Sequence, residues 1–309
     1  HLAINSYDVI MGVFSPHYHL SNCAWAGKRF KMNYALDFRD LWDNRVIRNN
    51  YDPNLTERIQ DKVYSFYWRK WILKSKVYSV TSQPWLDKLE LITNHNGVVI
   101  TNGFEDKEFN SISLKNEKFT IIHNGSLYEH QNLELFLKGY ALLIEDYSSP
   151  KIILKFVGAE RSKKSNTSYN RFLKNPEIEI SKHVHKDYHQ FVERMERQAS
   201  LIELKSADLL YFPSFPTAPG TYSGKIFEYI GSRINIVVVP EDLDVVDEIV
   251  NQTSSGVSLS DEVEIYKYLK VKYEEWLATG FCKFEGNELE IDKYSRSSQS
   301  KKIIEILKL

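Results

Sequence analysis

A nine-residue segment, Ser223-Gly-Lys-Ile-Phe-Glu-Tyr-Ile-Gly231, combines residue types that bind phosphate. It opens a helix after an apolar strand, so unpaired backbone N–H groups and the positive end of the helix dipole gather at its start. Gly224 lets a ligand approach the backbone, Lys225 adds a positive charge, and Glu228 lies one turn further on. A phosphate at the helix start and a hydroxyl-binding carboxylate one turn in predict a nucleotide-sugar diphosphate site. The alternative is a Lys–Glu pair that serves solubility alone.

A second cluster of charge, Asp37, Arg39 and Asp40, follows the short strand that begins at Asn33. Ligands of open α/β sheets bind at the carboxyl ends of the strands, so charge placed there indicates a functional residue more often than charge on a helix face. The alternative is a salt-bridged loop that fixes the next segment.

Apolar runs that alternate with helical patterns surround both clusters. The predicted strands are Tyr7–Ser15, the strand from Asn33, Val77–Ser82, Gly97–Thr101, Phe119–Asn124, Lys151–Gly158, Glu177–Val184, Ala207–Ser214, Asn235–Pro240 and Val257–Ser260. The predicted helices include His19–Phe30, Asn54–Lys76, Gln83–Asn94, Leu133–Glu145, His185–Lys205, the helix of the phosphate segment, Asp244–Val250, Asp261–Leu277 and Lys293–Lys308. This alternation predicts an α/β protein with parallel sheets and crossover helices.

The strand pattern divides into four strands before the polar segment Asp106–Lys118 and about six after it. We therefore predict a first Rossmann-like domain over 1–108, a second over 109–292, and a C-terminal helix over 293–309 that packs back on the first domain. A complete doubly wound domain has about six strands. At about 30 residues per βαβ unit, roughly 60 residues are expected to be missing before His1, which makes the first domain incomplete.

Composition excludes several classes of protein. The 309 residues carry a net charge of −1, which does not favour nucleic acid as a partner. Cys23 and Cys282 form no metal or redox motif, which favours a reducing cytoplasm. The sequence contains no run of about 18 apolar residues, so no transmembrane helix is predicted. The aromatic and basic helix Asn54–Lys76 leaves two alternatives open, a core-facing aromatic stripe or contact with a membrane surface.

Three segments resemble glycosyltransferases of the two-Rossmann-domain type, GT-B, in the large retaining family 4. The first runs from Tyr7-Asp-Val-Ile10 through Asp37-Phe-Arg-Asp-Leu-Trp42, and it is similar to the end of the acceptor domain in bacterial sugar transferases. The second, Ile122-His-Asn-Gly-Ser-Leu-Tyr128, is similar to the loop that opens the donor domain. The third, Ser206–Leu210 followed by Ser223–Tyr229, is the most specific.

The resemblance implies a role for each matched position. Gly125 and Ser126 would bring backbone amides to the diphosphate, and Ser223, Gly224 and Lys225 would form the phosphate cradle. Glu228 would bind the ribose hydroxyls. The other implied positions are Val184, His185 and Tyr188, which would border the base, and Asp37, Arg39 and Asp40, which would face the cleft from the acceptor side. Lys225, Arg39 and Asp40 are the predicted catalytic residues.

Some features of the family pattern are missing. Its two acidic residues separated by seven others would fall at Gly220 and Glu228, so the first carboxylate is absent. The basic pair after the first donor strand is also absent, and His130 is a weak replacement. Asp242-Leu-Asp244 resembles a metal-binding Asp-x-Asp, but helix capping explains it better. The histidines, including His17, His19, His183, His185 and His189, have no zinc-ligand context, so no metal site is predicted.

Together these patterns and the resemblance predict a metal-independent glycosyltransferase without a cofactor, and the resemblance alone implies retention of configuration. Its donor would be a nucleoside diphosphate sugar, and its acceptor a hydroxyl of a glycan or lipid-linked molecule, in the cytoplasm or at the inner face of the membrane. One alternative is a nucleotide-sugar 2-epimerase on the same fold. The other is a non-catalytic nucleotide-sugar-binding protein, which the missing basic and acidic residues suggest.

Overall fold

The computed structural model describes residues 7–14, 16–41, 54–109, 116–127, 131–159, 176–215 and 219–308. The chain forms two compact units. The first comprises His1–Asn102, Thr217–Tyr222 and Arg296–Leu309, and the second comprises Gly103–Pro216 and Ser223–Ser295.

The first unit is built on a four-stranded parallel sheet. Its strands are β1 (Val9–Phe14), β2 (Asn33–Phe38), β3 (Val77–Val80) and β4 (Val98–Val99), and they lie in the order β1-β2-β3-β4. Its helices are α1 (His17–Phe30), α2 (Leu55–Ile72), α3 (Gln83–Thr93) and the last helix of the chain, α11 (Arg296–Lys308).

Local sequence explains the start of α2 and the way it packs. The Asn54 side chain accepts a hydrogen bond from the backbone N–H of Glu57, and the Glu57 carboxylate accepts one from the backbone N–H of Asn54. This capping box pairs two backbone donors that would otherwise lack partners. In the C-terminal half of the helix, Trp68 and Ile72 are fully buried in the core of the first unit.

The second unit is built on a six-stranded parallel sheet. Its strands are β5 (Phe119–Asn124), β6 (Ile152–Val157), β7 (His189–Val192), β8 (Leu209–Pro213), β9 (Ile236–Val239) and β10 (Gly256–Ser258). Its α-helices are α4 (Glu134–Glu145), α5 (Pro176–Ser181), α6 (Arg197–Lys205), α7 (Gly224–Ser232), α8 (Val245–Gln252), α9 (Glu262–Thr279) and α10 (Glu288–Asp292). Two short 3₁₀ helices span Asp106–Phe109 and Lys186–Tyr188.

The strand order of the second sheet is β10-β9-β8-β5-β6-β7. The chain first builds outward from β5 to β7, returns to place β8 on the other side of β5, and then builds outward to β10. This is the doubly wound order, in which the direction of winding reverses between β5 and β8. The carboxyl ends of these two strands therefore mark the place where such a sheet binds ligands.

The predicted fold class is confirmed, because the described residues form two parallel sheets of four and six strands. Two element predictions in the second unit are wrong. Glu177–Val184 was expected as a strand but contains helix α5, and His185–Lys205 was expected as one helix but contains strand β7 and helix α6. Alternating Glu and Ile residues follow Pro176, and this pattern fits a strand. However, Pro at the first position and Glu in the first turn also start a helix.

The compact units differ from the predicted domain ranges. The first unit ends at Asn102 rather than at 108, and it also takes in the short segment Thr217–Tyr222. Helix α11 belongs to the first unit, where Gln299 accepts a hydrogen bond from the backbone N–H of Thr101 and Leu307 accepts one from the Lys76 ammonium. Within the described ranges, none of the helices combines the length and the apolar character that a membrane crossing needs.

Candidate functional site

A cavity of about 250 Å³ opens in the second unit at the carboxyl ends of β5 and β6. Loops after three strands and the first turns of α6 and α7 enclose it. Its lining residues are Asn124, Gly125, Ser126, Val157, Gly158, Arg194, Met195, Arg197, Ser200, Leu201, Lys225 and Glu228. The cavity therefore borders β5, the strand at which the sheet changes direction, where a doubly wound sheet binds its ligand.

Gly125 and Lys225 meet at the floor of this cavity. Gly125 has φ +101°, a conformation that L side chains rarely adopt. A Cβ atom on residue 125 would lie 2.6 Å from Cε of Lys225, so the glycine also makes room for the lysine. The Lys225 ammonium donates a hydrogen bond to the backbone carbonyl of Ser126. The loop after β5 thus places the positive charge of α7 in the cavity and brings Gly125, Ser126 and Lys225 together there.

The backbone N–H of Gly125, which was expected to bind a diphosphate, already has a partner within the sheet. It donates a hydrogen bond to the carbonyl of Val157 at 2.7 Å, which extends the pairing between β5 and β6. Since the backbone amide has one proton to donate, this hydrogen bond removes Gly125 from the expected pair of diphosphate-binding amides. Basic side chains are then the main source of positive charge in the cavity.

Burial lowers the pKa of Lys225 to about 8, although nearby Glu228 acts in the opposite direction. The amine therefore remains mostly protonated at neutral pH, but its charge is poorly solvated. A poorly solvated cation gains more from an arriving anion than a fully hydrated one does, because the attraction between opposite charges is stronger in a medium of low dielectric constant.

His123 lies fully buried beneath the same loop. Its Nε2 atom is 3.0 Å from the carbonyl oxygen of Gly125, and its Nδ1 atom is 3.2 Å from that of Tyr211. Burial, together with the charge of Lys225, lowers the pKa of His123 to about 3. The imidazole is therefore neutral and donates one N–H to one of the two carbonyls. It ties β5 to β8 without adding a second charge beside Lys225.

Asn124 is held at the rim of the cavity by two helices. Its backbone N–H donates to the Tyr229 hydroxyl at 2.7 Å, and its side-chain oxygen accepts from the Ser200 hydroxyl at 3.0 Å. These contacts fix the end of β5 to α7 and α6, so the backbone turn that begins at Gly125 has a defined position.

Arg194 and Arg197 are lining residues that sequence reasoning missed. The guanidinium of Arg197 donates from Nη1 to Glu228 at 2.8 Å, and from Nε and Nη2 to the two oxygens of Glu108 at 2.7 and 2.6 Å. Glu228 thus lines the cavity but is already ion-paired, and its role towards ribose hydroxyls stays a prediction. The predicted helix over 185–205 hid the loop between β7 and α6 that carries Arg194.

Ser223 and Gly224 begin helix α7 but do not line the cavity. The Ser223 hydroxyl accepts a hydrogen bond from the backbone N–H of Lys225 at 3.4 Å, a long N-cap contact. Gly224 is exposed, and a Cβ atom built on it would meet no other atom within 4 Å. The first turn of α7 is therefore open on the side of Gly224.

Val184, His185 and Tyr188 are not brought to the cavity. All three precede β7 and so lie at the amino-terminal end of that strand, whereas the cavity lies at the carboxyl ends. Val184 is buried in the core, the His185 ring accepts from the backbone N–H of Asp187, and the Tyr188 carbonyl accepts from the Tyr140 hydroxyl. Their expected place beside a base was implied by the family resemblance, and in this structure the three residues lie at the opposite end of β7 from the cavity.

In the first unit, Asp37 and Arg39 form a structural link between strand ends. The buried Asp37 carboxylate accepts from Arg39 Nε at 2.6 Å and from the Ser79 hydroxyl at 2.7 Å. Nη1 of Arg39 lies 3.2 Å from the carbonyl oxygens of Ile100 and Thr101. Arg39 thus ties β2 to the segment after β4, which matches the salt-bridged alternative. The Asp40 carboxylate accepts from the backbone N–H of Leu41 at 3.0 Å. The catalytic roles of Arg39 and Asp40 stay predictions.

The structure explains some of the positions at which this sequence departs from the family pattern. Gly220 has φ +72°, and a Cβ atom there would lie 2.7 Å from the Trp85 ring, so this position does not accept an acidic side chain. Asp242 accepts hydrogen bonds from the backbone N–H groups of Asp244, Val246 and Asp247, as expected for a cap. His130 lies outside the described residues. Among the residues that are described, no three His, Cys, Asp or Glu side chains are grouped to hold a metal ion.

No protein-family model matches the sequence, and no curated protein matches it significantly. Solved structures do match. HepE from Anabaena in complex with UDP aligns with a TM-score of 0.69 and 13% identity, over 98% of this chain and 79% of that one. Sucrose-phosphate synthase from Thermosynechococcus elongatus aligns with a TM-score of 0.61 and 11% identity, over 99% and 74%. A glycosyltransferase from Rickettsia africae aligns with a TM-score of 0.61 and 13% identity, over 99% and 83%.

The fold is GT-B. At these identities the likeness shows the fold alone, and it confirms the fold that the three sequence segments predicted. Chemistry must be argued from the cavity itself, because one fold supports many activities.

Proposed function

We propose that the protein is a glycosyltransferase that moves a sugar from a nucleoside diphosphate sugar to an acceptor hydroxyl. The observation that carries this proposal is the cavity of the second unit. Lys225, Arg194 and Arg197 bring positive charge to it, and the Glu228 carboxylate can accept hydrogen bonds from ligand hydroxyls. The protein HepE, which shares the fold, has been solved with UDP and with UDP-glucose. UDP is therefore the first nucleotide to test.

The chemical step that we propose depends on stabilising the leaving group. When the bond between sugar and diphosphate breaks, the departing oxygen gains negative charge. Lys225, which is poorly hydrated and held by the Ser126 carbonyl, would stabilise that charge, and the exposed Arg194 and Arg197 at the cavity would add to it. Arginine is well suited to this role because its planar guanidinium binds phosphate through two parallel hydrogen bonds. Glu228 would accept from the ribose hydroxyls.

Metal independence and retention of configuration are further parts of the proposal. Lys225 and Arg194 can supply positive charge where other transferases use a divalent cation, and Arg197 can add to it when a ligand displaces Glu228, which supports a reaction without a metal. Retention rests on the resemblance in sequence. The acceptor that we propose is a glycan or a lipid-linked molecule, in the cytoplasm or at the inner face of the membrane.

The deciding experiment begins with thermal unfolding in the presence of UDP, GDP, CDP and ADP. A ligand at about 100 times its dissociation constant adds roughly 2.7 kcal/mol to the free energy of unfolding, which raises the melting temperature visibly. We expect one nucleotide to stabilise the protein, with UDP as the first candidate. If none of the four does, the donor-site assignment is wrong.

Turnover then separates the possible activities. We expect the matching nucleotide sugar to release its nucleotide when an acceptor is present, with product stereochemistry followed by NMR. Release of free sugar and nucleotide without an acceptor would favour the 2-epimerase. Binding without turnover on any acceptor would favour a non-catalytic binding protein.

A further inference from the structure

Helix α2 presents an apolar stripe to solvent. Leu55 and Phe66 are 75% and 64% exposed, and Ile59, Val63 and Leu73, which is the C-cap residue and keeps helical backbone angles, are exposed as well. Their spacing places them on one face of the helix, about half a turn around the axis from the buried Trp68 and Ile72. Core packing therefore explains one face of α2 and leaves the other unexplained.

Basic side chains border this stripe. On one side lie Arg58, Lys62 and Arg69, and on the other lie Lys70 and Lys74, all of them exposed. The acidic residues of the helix, Glu57 and Asp61, are instead placed towards the buried face by the helical repeat. The exposed face of α2 is thus apolar at its centre and positively charged along both edges.

We propose that this exposed face of α2 binds an anionic phospholipid surface. An amphipathic helix with apolar residues on one face and Lys and Arg beside them lies in the plane of a membrane interface. Each basic residue near an anionic leaflet contributes about 1 kcal/mol, and the apolar side chains enter the boundary between headgroups and acyl chains. The 18-residue helix is about 27 Å long, which offers a continuous line of contact.

Charge argues against a second copy of the chain as the occupant. A two-fold symmetric dimer through this face would place the same patch against itself. The basic edges of both copies would then lie side by side, and such juxtaposition of like charges is unfavourable. An anionic surface removes this repulsion and covers the apolar stripe at the same time. The inference does not depend on the proposed transferase activity.

The test uses the full chain and vesicles of two compositions. One preparation contains phosphatidylcholine alone, and the other an equal mixture of phosphatidylcholine and phosphatidylglycerol. In co-sedimentation we expect the protein to bind the mixed vesicles and to bind phosphatidylcholine vesicles far more weakly. Added salt should weaken the binding because it screens the basic edges.

Two variants locate the contact, each with a matched control. We expect Phe66→Ser to reduce vesicle binding at least severalfold, whereas Leu91→Ser, at an 88% exposed position on α3, should leave it unchanged. We expect Lys70→Glu with Lys74→Glu to reduce binding by roughly tenfold or more, whereas Lys267→Glu on α9 should not. All four variants lie outside the cavity, so their melting curves and nucleotide binding should match the wild type.

Three results would overturn the inference. The first is the absence of binding to either vesicle preparation. The second is binding that Phe66→Ser and the double charge reversal leave unchanged. The third is a dimer, seen by analytical ultracentrifugation without lipid, that Phe66→Ser dissociates, because a second copy would then cover the stripe.

Discussion

The side chain of Lys225 fills the space beside residue 125 in which any Cβ atom would have to lie, with its Cε only 2.6 Å from that position. The glycine after β5 and the lysine at the start of α7 therefore depend on each other. Two segments about a hundred residues apart in sequence form one element of the cavity.

Replacing Gly125 by Ala should displace Lys225 and weaken UDP binding by more than about tenfold. The positive φ of residue 125 alone costs an alanine about 1–2 kcal/mol, and the contact with Lys225 adds to this cost. Gly280→Ala is the matched control, because Gly280 has φ +80° but its Cβ atom would meet nothing within 4 Å. Urea unfolding should show a larger loss of stability for Gly125→Ala, and calorimetric titration should show unaltered UDP binding by Gly280→Ala.

Gly224→Ala tests the predicted phosphate cradle apart from stability. The new methyl group meets no atom of the protein, and Ala is a better helix former than Gly, so the melting temperature should stay the same or rise. If a phosphate lies against the first turn of α7, the methyl group will occupy part of its space, and UDP affinity will fall severalfold. Unchanged affinity would mean that the diphosphate contacts Lys225 without touching Gly224.

Lys225→Met should stabilise the empty protein near neutral pH and weaken nucleotide binding. The pKa of Lys225 is about 8 in the folded protein against 10.5 for an ordinary lysine, so between these values the unfolded chain holds one more proton than the folded one. The free energy of unfolding of the wild type therefore rises with pH across this window, and below pH 8 the penalty for burying the charge is fully present.

The gain from Lys225→Met should thus be largest at pH 7, at most about 3 kcal/mol, and should shrink towards pH 10. Urea unfolding at both pH values measures it. In the wild type, UDP affinity should decline as the pH rises above about 8, because the amine loses the charge that binds the diphosphate. A variant that is less stable than the wild type at pH 7 would contradict the assigned cost of burial.

The role of Glu228 can be separated from its ion pair by changing the ligand. We expect Glu228→Gln to lower affinity for UDP by about tenfold, as is typical for loss of a hydrogen bond to a charged group. It should lower affinity for 2′,3′-dideoxy-UDP much less, because that ligand lacks the hydroxyls that Glu228 would bind. Equal losses for both ligands would show that Glu228 acts through Arg197 instead.

Arg39→Ala should destabilise the first unit. Its removal leaves the buried Asp37 carboxylate with the Ser79 hydroxyl as its remaining described partner, and breaking a buried ion pair costs about 3–5 kcal/mol. Adding Asp37→Asn to this variant should recover part of the loss, because the uncompensated charge is gone. Urea midpoints of the two variants measure this. If Arg39→Ala abolishes turnover while stability stays at the wild-type level, the predicted catalytic role is the better explanation.

The fold, and the presence of Lys225 and Glu228 at one helix start, could be predicted from residue patterns in the sequence. Short runs such as Phe119–Asn124 and Ile236–Val239 are buried on both faces and rich in β-branched residues, and their length favours strands over helices. Lys225 and Glu228 follow β8 at helical spacing. The segment between β7 and α6 could not be predicted in the same way. No Gly or Pro marks the turn at Glu193-Arg194-Met195-Glu196, and its residues are compatible with a helix, so Arg194 was hidden within one.

Hydrogen bonding set a second limit on what could be predicted. A glycine after a strand indicates a turn, but it does not show which carbonyl takes its N–H. In this structure the pairing of β5 with β6 assigns the Gly125 N–H to Val157, and that pairing is a property of the sheet as a whole. The basic side chains that line the cavity beside this loop, Arg194 and Arg197, come instead from a strand–helix connection elsewhere in the sheet.

If the proposed donor site is correct, we expect the ion pair between Arg197 and Glu228 to make the cavity selective before any ligand arrives. An entering anion has to compete with a carboxylate that already lies 2.8 Å from the guanidinium. A chloride or a single inorganic phosphate offers little advantage over that carboxylate. A nucleoside diphosphate can engage the guanidinium through phosphate oxygens while its ribose hydroxyls occupy the Glu228 carboxylate, so both ends of the broken pair find new partners. We therefore expect the pair to act as an internal competitor that favours ligands carrying both groups.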